Sequence, residues 1–295
     1  MLRLCFFALL FALPFNAFGQ EKAPSVDKLK GMAADAMKKA DVKDARIVDT
    51  DNLIVATGLP EAKAKALADS LQKTFALVVT TLKFEDTETK TPVIVYTFAD
   101  LDQFRQFQRS VLKVRPDDDE LAVFDVKKDE PFIAVSARRG DRNPNFEVIA
   151  GNEICRALLA KKGGNAKLTE WMKDGFARAV QMRATPASAG TDRTAVLRLA
   201  PRLGKGSKGP WVVDKAWSGT GKDKDLIAAS LMDFLTFGPG AEKLGNIMNG
   251  LILTDNGGTP TFADALKGAD WMLEALDREW RDWIAKGSPV PMVKK

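Results

Sequence analysis

Residues 92–98 read Pro-Val-Ile-Val-Tyr-Thr-Phe, a compact apolar run with the character of a buried strand. A strand of that kind cannot stand alone. It needs sheet neighbours and a layer packed over it. The flanking sequence supplies both. Ser25 is placed to cap a helix over about 26–39. Residues 46–57 read as a hairpin turning at Asp51-Asn52. Pro60 opens a long helix to about Leu82, with Leu67, Leu71, Phe75, Val78, Val79 and Leu82 on one face. Asp100 caps a further helix whose inner face carries Phe104, Phe107 and Val111. Two more strands are expected at 121–126 and 132–136, separated by the turn residues 127–131.

Beyond residue 144 the pattern changes to helices, expected at 146–161, 169–183, 226–237, 241–251 and 271–284. Gly163-Gly164 closes the first of these. The fold class expected is therefore α+β, an N-terminal mixed sheet with helices followed by a mostly helical lobe. The corresponding divisions are a helical or linker segment at 20–44, an α+β lobe at 45–143, a helical lobe at 144–286 and a tail at 287–295. Residues 184–224 are rich in Pro, Gly, Ser and Lys and are the least regular stretch. Their glycine-lysine runs, 204–209 and 219–222, do not fit the phosphate-loop spacing, because Lys222 is followed by Asp223.

Residues 1–19 have the features of an export signal. Arg3 is followed by a short apolar run, Leu4 to Leu13, and Ala17-Phe18-Gly19 is a small-x-small cleavage site. The run is too short to span a bilayer, so an exported, periplasmic or secreted protein without a transmembrane span is expected after cleavage. Cys155 is then the single remaining thiol, so stability must come from packing rather than disulfides. The net charge of +5 is mild and the signs alternate along the chain, which argues against nucleic-acid binding. Consecutive carboxylates in 115–120 lack the ligand spacing of a calcium loop and read as a solvated turn, as does Arg139-Gly140-Asp141.

The chain contains no histidine. Ser-His-Asp and Cys-His catalysis and histidine-based zinc sites are excluded with it. This absence coincides with two particular segments. Asn152-Glu153-Ile154-Cys155-Arg156 has the layout of H-E-x-x-H with both histidines replaced, and Trp171-Met172-Lys173-Asp174-Gly175-Phe176-Ala177 that of W-L-x-E-G-x-A. In such a pattern, histidines four apart leave one helical face toward one metal, and the adjacent glutamate takes a proton from the metal-bound water.

On these residues the chain resembles the peptidase-MA-like gluzincins, the thermolysin-like zinc metallopeptidases, over roughly 45–285. The resemblance implies a zincin-like fold. It puts the first histidine at Asn152, the catalytic glutamate at Glu153, the second histidine at Arg156 and the third ligand at Asp174. Of the ligands only Asp174 keeps a coordinating carboxylate, and Arg156 is a fixed cation. The family's oxyanion-steadying tyrosine or histidine has no counterpart near the motif, since Tyr96, the only tyrosine, lies far upstream. No catalytic residue, no cofactor and no bound zinc are therefore expected. Arg156 is expected instead to bridge Asp174, Glu153 or both, and to hold them ionised. The function implied is that of an inactive pseudopeptidase binding a peptide or protein in an interlobe cleft bordered by the strand at 132–136, through a free strand edge. A weak or altered hydrolase using Glu153 and Asp174, and a purely structural envelope protein, remain open. As ordinary packing residues, Cys155 belongs in the core, and Trp271, Trp280 and Trp283 pack helices.

Overall fold

The computed structural model describes residues 24–117, 119–127, 129–186, 193–198, 221–253 and 258–288, with side chains described from 225 onward in the fifth of these stretches. The expected leader at 1–19 and most of 184–224 lie outside the described residues.

The chain begins with α1 (Val26–Lys39), where the Ser25 hydroxyl accepts from the Lys28 N–H at 3.3 Å. The hairpin β1 (Arg46–Asp49) and β2 (Leu53–Thr57) follows, then α2 (Glu61–Thr81) and β3 (Val93–Phe98). Helix α3 (Leu101–Phe107) starts on an Asp100 cap and continues as a π-helical turn to Leu112. Strands β4 (Ala122–Asp125) and β5 (Phe132–Ser136) complete a sheet of order β1-β2-β3-β5-β4. β2, β3 and β5 run parallel at its centre, while β1 and β4 are the antiparallel edges.

The period of two along the central strands decides which layer each residue enters. Leu53, Val55, Val95, Ile133 and Val135 point to one face, where α2 and the later helices cover them. Ile54, Ala56, Ile94, Tyr96, Phe98 and Ala134 point to the other, under α1 and α3. On that second face the ring of Phe107 lies 4.8 Å from Tyr96 and 5.2 Å from Phe98. Each side chain buried in this way contributes about 1.5–3 kcal/mol, which is why the all-apolar strand 93–98 is viable only at the centre. Helix α2 covers the first face because Ala64, Leu67, Ala68, Leu71, Phe75 and Val78 recur at helical spacing, all buried.

The second half is helical: α4 (Phe146–Gly163), α5 (Glu170–Ala184), α6 (Gly221–Phe237), α7 (Leu244–Gly250), α8 (Phe262–Gly268) and α9 (Leu273–Ala285). α4 is capped by Asn145 and ends at Gly164, whose φ of +59° favours glycine. The single helix expected at 241–251 is instead a 3-10 turn, Pro239–Glu242, followed by α7. Pro239 cannot donate into a helical ladder, so α6 stops before it and the chain restarts. α8 was not expected; its start is fixed by a reciprocal pair in which Thr261 and Asp264 cap each other's backbone N–H. Trp280 is fully buried and its indole N–H donates to Ser230 Oγ at 3.1 Å, while Trp271 and Trp283 lie against Phe234.

A mixed α/β N-terminal region is thus followed by a mostly helical lobe. The two share one apolar cluster, which runs without a break from Leu53 to Ile284. Among the described residues no helix is long and apolar enough to cross a membrane.

Candidate functional site

α4 and α5 pack closely because glycine removes side chains where they meet. A Cβ on Gly151 would fall 2.0 Å from Gln181 Nε2, so any larger residue would have to displace the α5 glutamine. Helical spacing then aligns Asn152, Glu153 and Arg156 on α4, and Glu170 and Asp174, four apart, on α5.

Arg156 is the centre of the arrangement. Its Nη1 donates to Asp174 Oδ1, its Nη2 donates to Glu170 Oε2 at 3.0 Å, and its Nε lies 3.6 Å from Glu153 Oε2. The last distance is ion pairing without a hydrogen bond, and the buried Nε has no hydrogen-bond partner among the described residues. Lys173 holds the other oxygen of Glu170 at 2.6 Å. The expected pairing of Arg156 with Asp174 and Glu153 is therefore present in the geometry, and Glu170 joins it.

The carboxylates differ electrostatically. Burial pushes the Glu153 carboxyl above its ordinary range. The Arg156 charge opposes that shift, while Asp174 and Glu170 add to it. Burial is the largest influence on Glu153, and the Arg156 guanidinium works against it. Glu170 is mostly exposed, and its hydrogen bond from Lys173 holds it below the usual carboxylate range.

These side chains border a depression of about 210 Å³, walled by Asn152, Glu153, Arg156, Asp174, Arg178 and Asp225. That is smaller than the roughly 300–1,000 Å³ typical of ligand clefts. Arg178 Nη2 donates to Asp225 Oδ2 at 3.2 Å across its far side. Asn152 Oδ1 is buried and finds no partner among the described residues. The four positions singled out in the sequence come together. Glu170, Arg178 and Asp225 were missed. Glu170 was findable, being one turn before Asp174 on the same face, whereas nothing local points to Asp225.

A zinc ion at the positions implied by the family resemblance does not fit these residues. A permanent guanidinium occupies the space between the carboxylates, and Asn152 is a neutral, weak donor. Among the described residues no group of three or more Cys, Asp or Glu is arranged to hold a metal. Tyr96 is on the opposite face of the sheet from α4, in the layer under α1 and α3, and burial pushes its phenol far up. Cys155 faces away from the depression into the core, fully buried, its thiol pushed up by burial.

The strand expected to offer a free edge, Phe132–Ser136, is interior, hydrogen-bonded to β3 on one side and β4 on the other. On this side of the sheet the edge strand is β4. Ser136 N–H donates to Leu121 O at 2.8 Å, which fixes the phase of the antiparallel ladder. Residues 121, 123 and 125 bond inward, so Ala122 and Phe124 turn their N–H and C=O groups away from β5.

Comparison with known proteins adds no family: no family model and no curated protein matches the chain.

Proposed function

We propose that this is an exported, catalytically inactive relative of the gluzincin peptidases that binds an extended peptide or protein segment along β4. The observation that carries the reading is the Arg156 cluster. One guanidinium draws in carboxylates from two helices, at the positions where the resemblance puts zinc ligands and the catalytic glutamate. A fixed cation there neutralises carboxylates that a lost metal would leave facing one another. The edge position of β4 supports the binding half of the proposal, since an extended chain can pair with the groups that Ala122 and Phe124 turn away from β5.

The test is binding of a randomised hexapeptide pool, read by mass spectrometry of retained peptides. Ala122→Pro removes one outward N–H and no bond to β5. Selected peptides that bind the parent and lose about tenfold or more on Ala122→Pro support the proposal. Equal binding by the two sinks it, as does stoichiometric zinc retained after loading and desalting.

A weak hydrolase using Glu153 and Asp174 is the second reading. Its one supporting observation is the Glu153 carboxyl, raised by burial above its ordinary range beside a second carboxylate, Asp174. Arg156 pointing into the depression weighs against it, since substrate would have to displace the guanidinium.

A further inference from the structure

A second cavity lies well away from the Arg156 cluster, where the end of α2, the end of α4, the last turn of α6 and α7 meet. It encloses about 300 Å³, room for roughly ten water-sized atoms. Its floor is apolar, built from Leu82, Leu244 and Met248, each less than a tenth exposed. One polar group interrupts that floor. The Thr236 hydroxyl is buried, the residue being 5 % exposed, and Oγ1 has no hydrogen-bond partner among the described residues. A buried hydroxyl without a partner is destabilising, and a ligand entering the cavity can supply one.

The rim carries two lysines, Lys162 and Lys83, and one exposed carboxylate, Glu242. Lys162 Nζ donates to Lys83 O at 3.0 Å and to Glu88 Oε2 at 3.0 Å, and lies 4.8 Å from the centre of the Phe84 ring. Lys83 beside it is exposed. Its own φ of +53° turns the chain sharply at the end of α2.

We propose that this cavity is a binding site for a short aliphatic carboxylate. Its chain packs on Leu82, Leu244 and Met248, its carboxylate meets Lys162 and Lys83 at the mouth, and any hydroxyl or carbonyl near its inner end bonds to Thr236. The division of labour follows the lining. Apolar contact supplies the burial, and two ammonium groups set against the one Glu242 carboxylate favour an anion and set its orientation.

The probe is hexanoate, titrated to about 20 mM against the full chain with carbon-13 methyl labels on leucine and methionine, with hexanol as the uncharged control. Hexanoate is expected to bind on the order of millimolar and to shift Leu82, Leu244 and Met248. Hexanol is expected to bind about tenfold more weakly. Lys83→Ala should weaken hexanoate several-fold and leave hexanol unchanged. Gly245 borders the cavity and a Cβ there meets nothing within 4 Å, so Gly245→Phe fills the space without a clash at Cβ and should abolish binding of both. No shift at these methyls, equal binding of hexanoate and hexanol, or undiminished hexanoate binding by Gly245→Phe overturns the proposal. Should Gly245→Phe fail to fold, Lys83→Ala alone decides through the hexanoate-to-hexanol ratio.

Discussion

Gly175 of α5 sits against the main chain of Ala228 in α6, so close that a Cβ would lie 2.5 Å from the Ala228 carbonyl oxygen. Backbone cannot step aside as a side chain does. Gly175→Ala is therefore expected to cost about 1–3 kcal/mol and to lower Tm by several degrees. Gly245→Ala is the contrast. Its Cβ enters open space on a helix, so the smaller chain entropy of alanine stabilises by about 0.5–1 kcal/mol. Thermal melts of both decide the matter. Equal effects would mean that close approach does not govern position 175.

Replacing Arg156 by leucine should destabilise the fold in a pH-dependent way. The Glu153 carboxyl already takes up protons more readily folded than unfolded, so its contribution to stability declines as pH rises from the ordinary glutamate value through its raised folded value. Removing Arg156 deletes the one charge opposing that shift. The loss is expected to be about 1–3 kcal/mol at pH 7 and smaller near pH 4.5, where the raised Glu153 carboxyl carries less charge. Urea titrations at the two pH values measure it, and a pH-independent loss would count against the assigned electrostatics.

Deep between α5 and α6, Arg183 Nε donates to Asp233 Oδ1 at 2.7 Å while its guanidinium lies 4.6 Å from the ring centre of Phe237. Asp233 is 2 % exposed. Asp233→Ala leaves the cation buried without its acid, a loss of about 3–5 kcal/mol. Arg183→Met with Asp233→Leu removes both charges and should recover most of that stability. A double variant no better than the single would show that packing, not charge, is what the pair supplies.

Cys155 should be inert in the folded protein. It is fully buried and its thiol is pushed up by that burial, so there is almost no thiolate to react. Maleimide labelling followed by peptide mass spectrometry should find Cys155 unmodified under native conditions and modified quantitatively in denaturant. Rapid native labelling would contradict the placement of this side chain in the core.

Local pattern carried much of this architecture. Ser25 and Asp100 announce the starts of α1 and α3, and the spacing of Leu67, Leu71, Phe75 and Val78 marks the buried face of α2. Asn152, Glu153, Arg156 and Asp174 were legible as a group because helical spacing projects them to one place. What escaped is non-local. Strand order is set by which side of β3 the last hairpin joins, and no spacing encodes it, so Phe132–Ser136 was taken for an edge. One compositional signal was present: β4 carries Asp125 and is half-exposed throughout, whereas β5 is almost wholly buried, the usual mark of a protected edge. Asp225 reaches Arg178 across 47 positions of chain, a partnership that only packing creates. The break at Pro239 was read from the sequence, but the further split between Glu242 and Leu244 was not, because the apolar spacing runs on across it.

The unbroken apolar cluster from Leu53 to Ile284 means that the sheet and the helical region hide each other's oily surface. Neither half is a transplantable module. Cut near Arg142, each fragment would expose a face fit only for its missing mate, and heating the intact chain should melt both together in one calorimetric step rather than two.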